Sequence, residues 1–280
     1  MMTKAGTKMK TSVTLALQVD SFVSPFLAKD FDNGLDWAAS IGVTGVELSV
    51  ASPADIDVSV LKEKLNRRDL IVSTLATGVM VAQGLTFCDD NENVRQAAVR
   101  HIISHIELAS QLPGHPNVTI GMARGKGGGT SQQINQQRHW IADCLQVCCR
   151  HSNNRGIWLN LEPFVRYESE HFHTSAQCAQ LIDEIGGKGT VGILYDTYHS
   201  NVEDADMVET IKQCATYLSH VHFADSNRRL PGEGHIDFTA IMTALHRVKY
   251  DRYISLEVTN TPDAEHIQKN VGKFVKLANS

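Results

Sequence analysis

Glu162, Asp196, His222 and Glu257 each stand at or beside the end of a short apolar run in the second half of the chain: Ile-Trp-Leu-Asn-Leu-Glu162, Val-Gly-Ile-Leu-Tyr-Asp196, Val-His222-Phe and Tyr-Ile-Ser-Leu-Glu257. Three carboxylates and one imidazole suit a hard or borderline divalent ion, Mn²⁺ first and Mg²⁺ or Co²⁺ after it, better than a thiolate-loving metal. Two of the carboxylates neutralise a dication and the third leaves the set slightly anionic. A neutral hydroxy-ketone can chelate such an ion through its carbonyl and hydroxyl oxygens. The four residues converge only if their runs are strands lying side by side and parallel.

The rest of the chain supplies that arrangement. Strand-like segments at residues 13–18, 45–50, 71–77, 117–122, 157–162, 191–196, 219–224 and 253–257 alternate with amphipathic stretches at 32–41, 58–67, 93–112, 133–151, 174–185, 205–218, 238–247 and 264–277. Eight βα units without a break in composition predict an α/β fold of the (β/α)₈ TIM barrel type. Residues 11–280 then form a single catalytic domain, and residues 1–10, polar and basic, a flexible N-terminal extension. A doubly wound open sheet is the alternative, weakened because no Gly-x-Gly-x-x-Gly turn follows the first strand. Side chains alternate across a strand, so Asn160 shares a face with Glu162, His220 with His222, and Ser255 with Glu257, each opposite aliphatic or aromatic neighbours. In a barrel the polar face points into the lumen, and the C-terminal strand ends are where such barrels do chemistry.

Further polar residues surround these ends. His199 follows Asp196 in Asp-Thr-Tyr-His, within reach of a substrate hydroxyl, and Glu168 lies six residues beyond Glu162. After His222 a loop of turn formers carries Arg228 and Arg229. Ile120-Gly-Met-Ala-Arg124-Gly-Lys126-Gly-Gly-Gly brings two cations to the end of the fourth strand; its glycines could cradle a phosphate, but the Walker pattern is missing and no helix start is evident directly after them. His101, His105, His115, His139 and His151 lack ligand spacing and read as surface or packing residues. No Ser-His-Asp or Cys-His arrangement is legible.

Composition excludes several classes. With 26 basic and 31 acidic residues the net charge is −5, which argues against a nucleic-acid surface. No apolar stretch approaches the length of a transmembrane helix, and the N-terminus lacks the apolar core of a secretion signal. The six cysteines form no Cys-x-x-Cys pair, and 144, 148 and 149 fall at helical spacing as buried thiols. A reduced, cytoplasmic protein acting on a small molecule fits, as a monomer or homo-oligomer.

On the stretches Leu-Glu162-Pro with Arg-Tyr-Glu168, Asp196-Thr-Tyr-His199, His220-Val-His222-Phe-Ala-Asp-Ser-Asn-Arg228 with Pro-Gly-Glu-Gly-His-Ile-Asp-Phe238, and Ser-Leu-Glu257, the chain from about Val13 onward resembles the xylose-isomerase-like barrel enzymes, a family of sugar isomerases and epimerases. In its ketose 3-epimerases the matching positions imply metal ligation by Glu162, Asp196, His222 and Glu257, with Glu162 and Glu257 also the acid/base pair. They imply substrate contacts from His199, Glu168 and Arg228. Thr77-Gly78 with Gly-Leu-Thr-Phe87, and Ile120-Gly-x-x-Arg124-Gly125, are closer to the 5-keto-L-gluconate epimerase branch. A sugar acid brings a carboxylate, for which Arg124 and Lys126 would be cationic partners. Val165 and Ser200 depart from the family, where Asn and Met are usual.

The expected reaction is deprotonation next to a metal-polarised ketone to an enediolate, and return of the proton from the opposite face. The substrate would be a keto-sugar acid of the 5-keto-L-gluconate or D-tagaturonate type. The alternatives are a D-tagatose or D-psicose type ketose 3-epimerase and an aldose–ketose isomerase of the hydroxypyruvate type, which shuttles the proton between adjacent carbons. A DNA-repair enzyme of the endonuclease IV type would need extra histidines at earlier strand ends, where this chain has Ser49, Thr77 and Met122. A non-catalytic barrel would have lost at least one of the four metal-binding side chains.

Overall fold

The computed structural model describes residues 9–278. Eight parallel strands close into a barrel in sequence order, β1 (Lys10–Ala16), β2 (Gly45–Ser49), β3 (Ile71–Ala76), β4 (Asn117–Ile120), β5 (Leu159–Leu161), β6 (Val191–Asp196), β7 (Leu218–Phe223) and β8 (Tyr253–Leu256), with β8 pairing back onto β1. The helices are α1 (Phe31–Ser40), α2 (Val58–Asn66), α3 (Glu92–Gln111), α4 (Ser131–Asn153), α5 (Ser175–Glu184), α6 (Thr197–Glu203), α7 (Met207–Gln213), α8 (Phe238–Arg247), α9 (Ala264–Asn270) and α10 (Gly272–Ala278). Each expected strand is present. The fold starts before residue 11, because Met9 is buried and Lys10 opens β1. Residues 1–8 of the expected extension lie outside the described residues.

Strand alternation sorts the side chains as their chemistry demands. Leu159 and Leu161 of β5, Val221 and Phe223 of β7, and Ile254 and Leu256 of β8 join the apolar core. Phe223 packs on Phe238 of α8 and Phe274 of α10. The opposite faces fill the lumen with polar groups that satisfy one another. Asn160 donates to Thr74 Oγ1 and accepts from Ser219 Oγ and Asn117 Nδ2. His220 Nε2 meets Ser255 Oγ at 2.7 Å. Gly192 occupies a lumenal position opposite Asn160, where a Cβ would stand 2.4 Å from that of Ser219.

Two expected helices differ. The stretch expected at 264–277 divides into α9 and α10, and the helix expected at 205–218 is shortened to α7, with an additional helix, α6, before it. Asp196 caps α6, its Oδ1 accepting from the N–H groups of Tyr198 (2.7 Å) and His199 (3.3 Å), and Asp206 caps α7 through Glu209 N–H. The cap sets the helix start directly at the end of β6 and so puts His199 on α6. Likewise α4 begins right behind the glycine stretch, with Thr130 and Gln133 forming a capping box. There Gln133 accepts from Thr130 N–H and Gln137 from Gly128 N–H, so these amides serve the helix start and form no phosphate cradle.

All six cysteines are buried and unpaired. Among the described residues no helix is long and apolar enough to cross a membrane.

Candidate active site and metal centre

The ends of β5, β6, β7 and β8 bring Glu162, Asp196, His222 and Glu257 together, with one potential ligand atom of each lying within 4.8 Å of the others. His222 Nδ1 is 3.7 Å from Glu162 Oε1, 3.7 Å from Asp196 Oδ2 and 3.3 Å from Glu257 Oε2. Register accounts for part of this, since Asp196 is paired with His222 across β6 and β7, and His222 with Ser255 across β7 and β8. Glu162 Oε1 and His222 Nδ1 are buried without hydrogen-bond partners. Buried polar atoms are almost always satisfied, and two such atoms facing two further carboxylates make a donor set that fits a divalent cation.

Asp196 divides its carboxylate between two tasks. Oδ1 caps α6, while Oδ2 turns to the site, 3.0 Å from Arg228 Nη1. Arg228 also binds Glu257 through Nη2. Its backbone is left-handed, with φ 60, a conformation that a non-glycine residue adopts only when its surroundings hold it there. Asp225 does so: its carboxylate accepts from the N–H groups of Ser226, Gly232 and Ile236, and its carbonyl accepts from Arg228 N–H.

The two glutamates expected to move protons sit in unlike environments. Burial drives Glu162 well above the usual carboxylate range, and the neighbouring Glu257 and Asp196 add to the shift against His222 and Arg228. Burial would raise Glu257 too, but His222 and Arg228 bring it below its ordinary value. Asp196 is likewise lowered, Arg228, His199 and His222 outweighing burial. Burial holds His199 down at about 4, a neutral imidazole whose Nδ1 accepts from Val165 N–H at 3.3 Å. The unusual Val165 thus enters the site through its main chain, while Ser200 bonds Tyr195 and Asp204 away from the metal-ligand set.

A cavity of about 530 Å³ opens over the cluster. Glu162, Glu168, His222, Arg228 and Glu257 line it, with Val19, Phe22, Val79 and Met122 on its outer wall. Glu168 is half-buried there, and burial raises its carboxyl. His199 and Asp196 sit just behind the lining. Arg124 takes a different place from the one expected. Its guanidinium is fully buried, all three nitrogens lack hydrogen-bond partners, and it stacks 4.8 Å from the centroid of Phe164. Lys126 points to solvent. Neither lines the cavity, so the end of β4 presents no cation to a substrate.

Two contributors went unnoticed in the sequence. Glu47 of β2 is buried on the lumenal side with Oε2 2.9 Å from His222 Nε2. The signal for it was a lone carboxylate between Val46 and Leu48 in an apolar strand. Gly121 leaves room for Glu162: a Cβ there would come within 2.9 Å of Glu162 Oε2.

A family profile described as Xylose isomerase-like TIM barrel matches residues 35–276. The chain belongs to that family. Among its relatives, an L-ribulose 3-epimerase from Mesorhizobium japonicum is 28% identical over 232 residues, covering 81% of this chain and 74% of the other. A 3-dehydro-D-guloside 4-epimerase from Escherichia coli is 31% identical over 126 residues, 45% of this chain and 48% of the other. The crystal structure of a D-allulose 3-epimerase from Methylomonas sp. superposes with a TM-score of 0.81 at 19% identity, over 99% of this chain and 100% of that one. The chain is an enzyme of the isomerase and epimerase class, on the xylose-isomerase-like barrel that its strand pattern and motifs anticipate.

Proposed function

We propose that this protein is a divalent-metal-dependent epimerase acting on a neutral keto-sugar at the carbon next to the ketone, with Mn²⁺ the preferred ion. The observation that carries the reading is the meeting of Glu162, Asp196, His222 and Glu257 in one buried cluster, in which Oε1 of Glu162 and Nδ1 of His222 have no hydrogen-bond partner. Glu257 takes the proton from the substrate carbon, and Glu162 delivers one from the other side. His199 and Arg228 orient the substrate hydroxyls, and Glu168 closes the polar end of the cavity.

Glu162, Asp196, His222 and Glu257 would hold the ion, which when bound polarises the substrate ketone and offsets the charge of the enediolate. Both relatives named above have names that describe inversion beside a ketone, at carbon 3 of a ketose or carbon 4 of a 3-keto-sugar.

A neutral substrate follows from the electrostatics of the cavity. Asp20, Glu47, Glu168 and Glu257 line it with Asp196 behind them, and together they outnumber the positive charges of Arg228 and of a bound dication, while Arg228 is already engaged by Asp196 and Glu257. A sugar acid or sugar phosphate would enter against that charge, and Arg124 and Lys126, the cations that favoured a keto-acid in the sequence, do not face it. The test is incubation of the Mn²⁺-loaded protein in D₂O with ketopentoses, ketohexoses, 3-keto-glycosides and keto-sugar acids, followed by NMR. Deuterium should appear at one carbon beside the ketone of a neutral sugar. The Glu162→Gln and Glu257→Gln variants, folded by circular dichroism, should turn over at least about 100-fold more slowly. Exchange confined to keto-acids would reject the neutral substrate, and full activity in either variant would reject the proton assignment.

A further inference from the structure

His222 uses both ring nitrogens on carboxylates. Nδ1 faces Glu162, Asp196 and Glu257 and makes no hydrogen bond, whereas Nε2 lies 2.9 Å from Oε2 of Glu47. Glu47 comes from the middle of β2, across the lumen from β7, and is fully buried.

Its place is fixed by a chain of polar contacts around the barrel. His220 Nε2 is 3.4 Å from the same Glu47 oxygen and 2.7 Å from Ser255 Oγ. Ser255 bonds Ser12, and Ser73 donates to Ser12 at 3.0 Å and approaches the carbonyl of Val46 at 3.3 Å. The chain leaves β2 at Glu47, passes through β7, β8, β1 and β3, and returns to the β2 main chain one residue away. These contacts hold the Glu47 carboxylate beside His222.

An imidazole can ligate only through a nitrogen that carries no proton, and the partner of its other nitrogen decides which one that is. An acceptor at Nε2 keeps the proton there and leaves the Nδ1 lone pair directed at the three carboxylates. We propose that Glu47 is a positioning residue for the metal centre, fixing His222 as the Nε2–H tautomer with Nδ1 as its ligand atom. The inference rests on the metal-dependent reading above. Glu47, His220 and His222 also lie close enough to form an ion site of their own, but the Nε2 atoms of both histidines are already engaged by Glu47 and Ser255, which favours the positioning role.

The experiment is titration of metal-free wild type, Glu47→Leu and Glu47→Gln with Mn²⁺, reading free ion by its EPR signal. Wild type should bind one ion per chain. Glu47→Leu, which removes the acceptor, should bind the same number about 10- to 100-fold more weakly. Glu47→Gln, which keeps an acceptor oxygen and loses the charge, should fall between them. Unchanged affinity in folded Glu47→Leu overturns the proposal, as do two ions in wild type with one lost in the variant. Should Glu47→Leu not fold, ¹⁵N NMR of Mg²⁺-loaded wild type decides: a proton on Nε2 of His222 supports the proposal and a proton on Nδ1 overturns it. A wild type that binds no Mn²⁺ defeats the metal reading itself, and the inference with it.

Discussion

Arg124 has the charge to attract a sugar acid but not the position. Its guanidinium lies fully buried against Phe164, whose ring stands 4.6 Å from that of His199 and walls the cavity. Its contribution is therefore support of that wall. Arg124→Met keeps much of the volume and removes a buried cation whose nitrogens have no partners, a change that is often neutral or stabilising. It should reduce kcat/KM for neutral and acidic sugars by the same factor, measured side by side, and leave thermal stability within about 1 kcal/mol of wild type. A loss specific to acids would restore Arg124 as a carboxylate contact. Glu162, Asp196, His222 and Glu257 were legible in the sequence because each is a ligand-type residue at the end of an apolar run. Glu47 was not, because it sits mid-strand and its role comes from β7, which lies 175 residues further along the chain.

Among the elements, β6 and β7 carry the most consequence. Their register pairs Asp196 with His222, and it depends on Gly192. An added Cβ there would meet Ser219 Cβ at 2.4 Å and the carbonyl of Tyr217 at 2.7 Å. Ser219 cannot yield freely, since its hydroxyl bonds Asn160 at 2.7 Å and approaches the carbonyl of Ile193. Gly192→Ala should destabilise the fold by about 1–3 kcal/mol in urea unfolding, and should weaken Mn²⁺ binding as the two strands part. A fully stable variant with normal binding would show that the pair can relax. The strands were readable from alternation and length, and their ends to within about three residues, the usual scatter of boundaries read from sequence. The additional helix α6 directly behind β6 was not, because periodicity alone misses a cap. Asp196 looks like a strand residue until its Oδ1 is seen to accept two helix N–H groups.

For the molecule as a whole, buried histidines tie stability to pH. His105 of α3 is fully buried, its ring nitrogens 2.9 Å from the carbonyl of His101 and 3.2 Å from that of Val50 at the end of β2, and burial lowers its pKa from 6.5 to about 4. A depressed pKa means that the unfolded chain takes up the proton first. The contribution of His105 is therefore complete above about pH 6.5 and is lost as pH falls toward 4, up to about 3 kcal/mol. Urea unfolding across that range should show the decline, and His105→Gln should flatten it; an unchanged slope would exclude His105 as the cause. The sequence by itself determined the number of βα units, the closed parallel architecture they imply, and the four ligand-type residues that converge at the strand ends. These follow from periodicities that act over a few residues and from ligand chemistry. Tertiary structure alone decided which cations reach the cavity. Arg124 and Lys126 follow β4 together, but a tight turn at Met122–Arg124 and the left-handed Gly125, packed against Cys88, bury one and expose the other. Strand periodicity fixes the face on which a side chain emerges. It does not fix the depth at which a loop leaves that side chain, because depth is set by packing against segments distant in the chain.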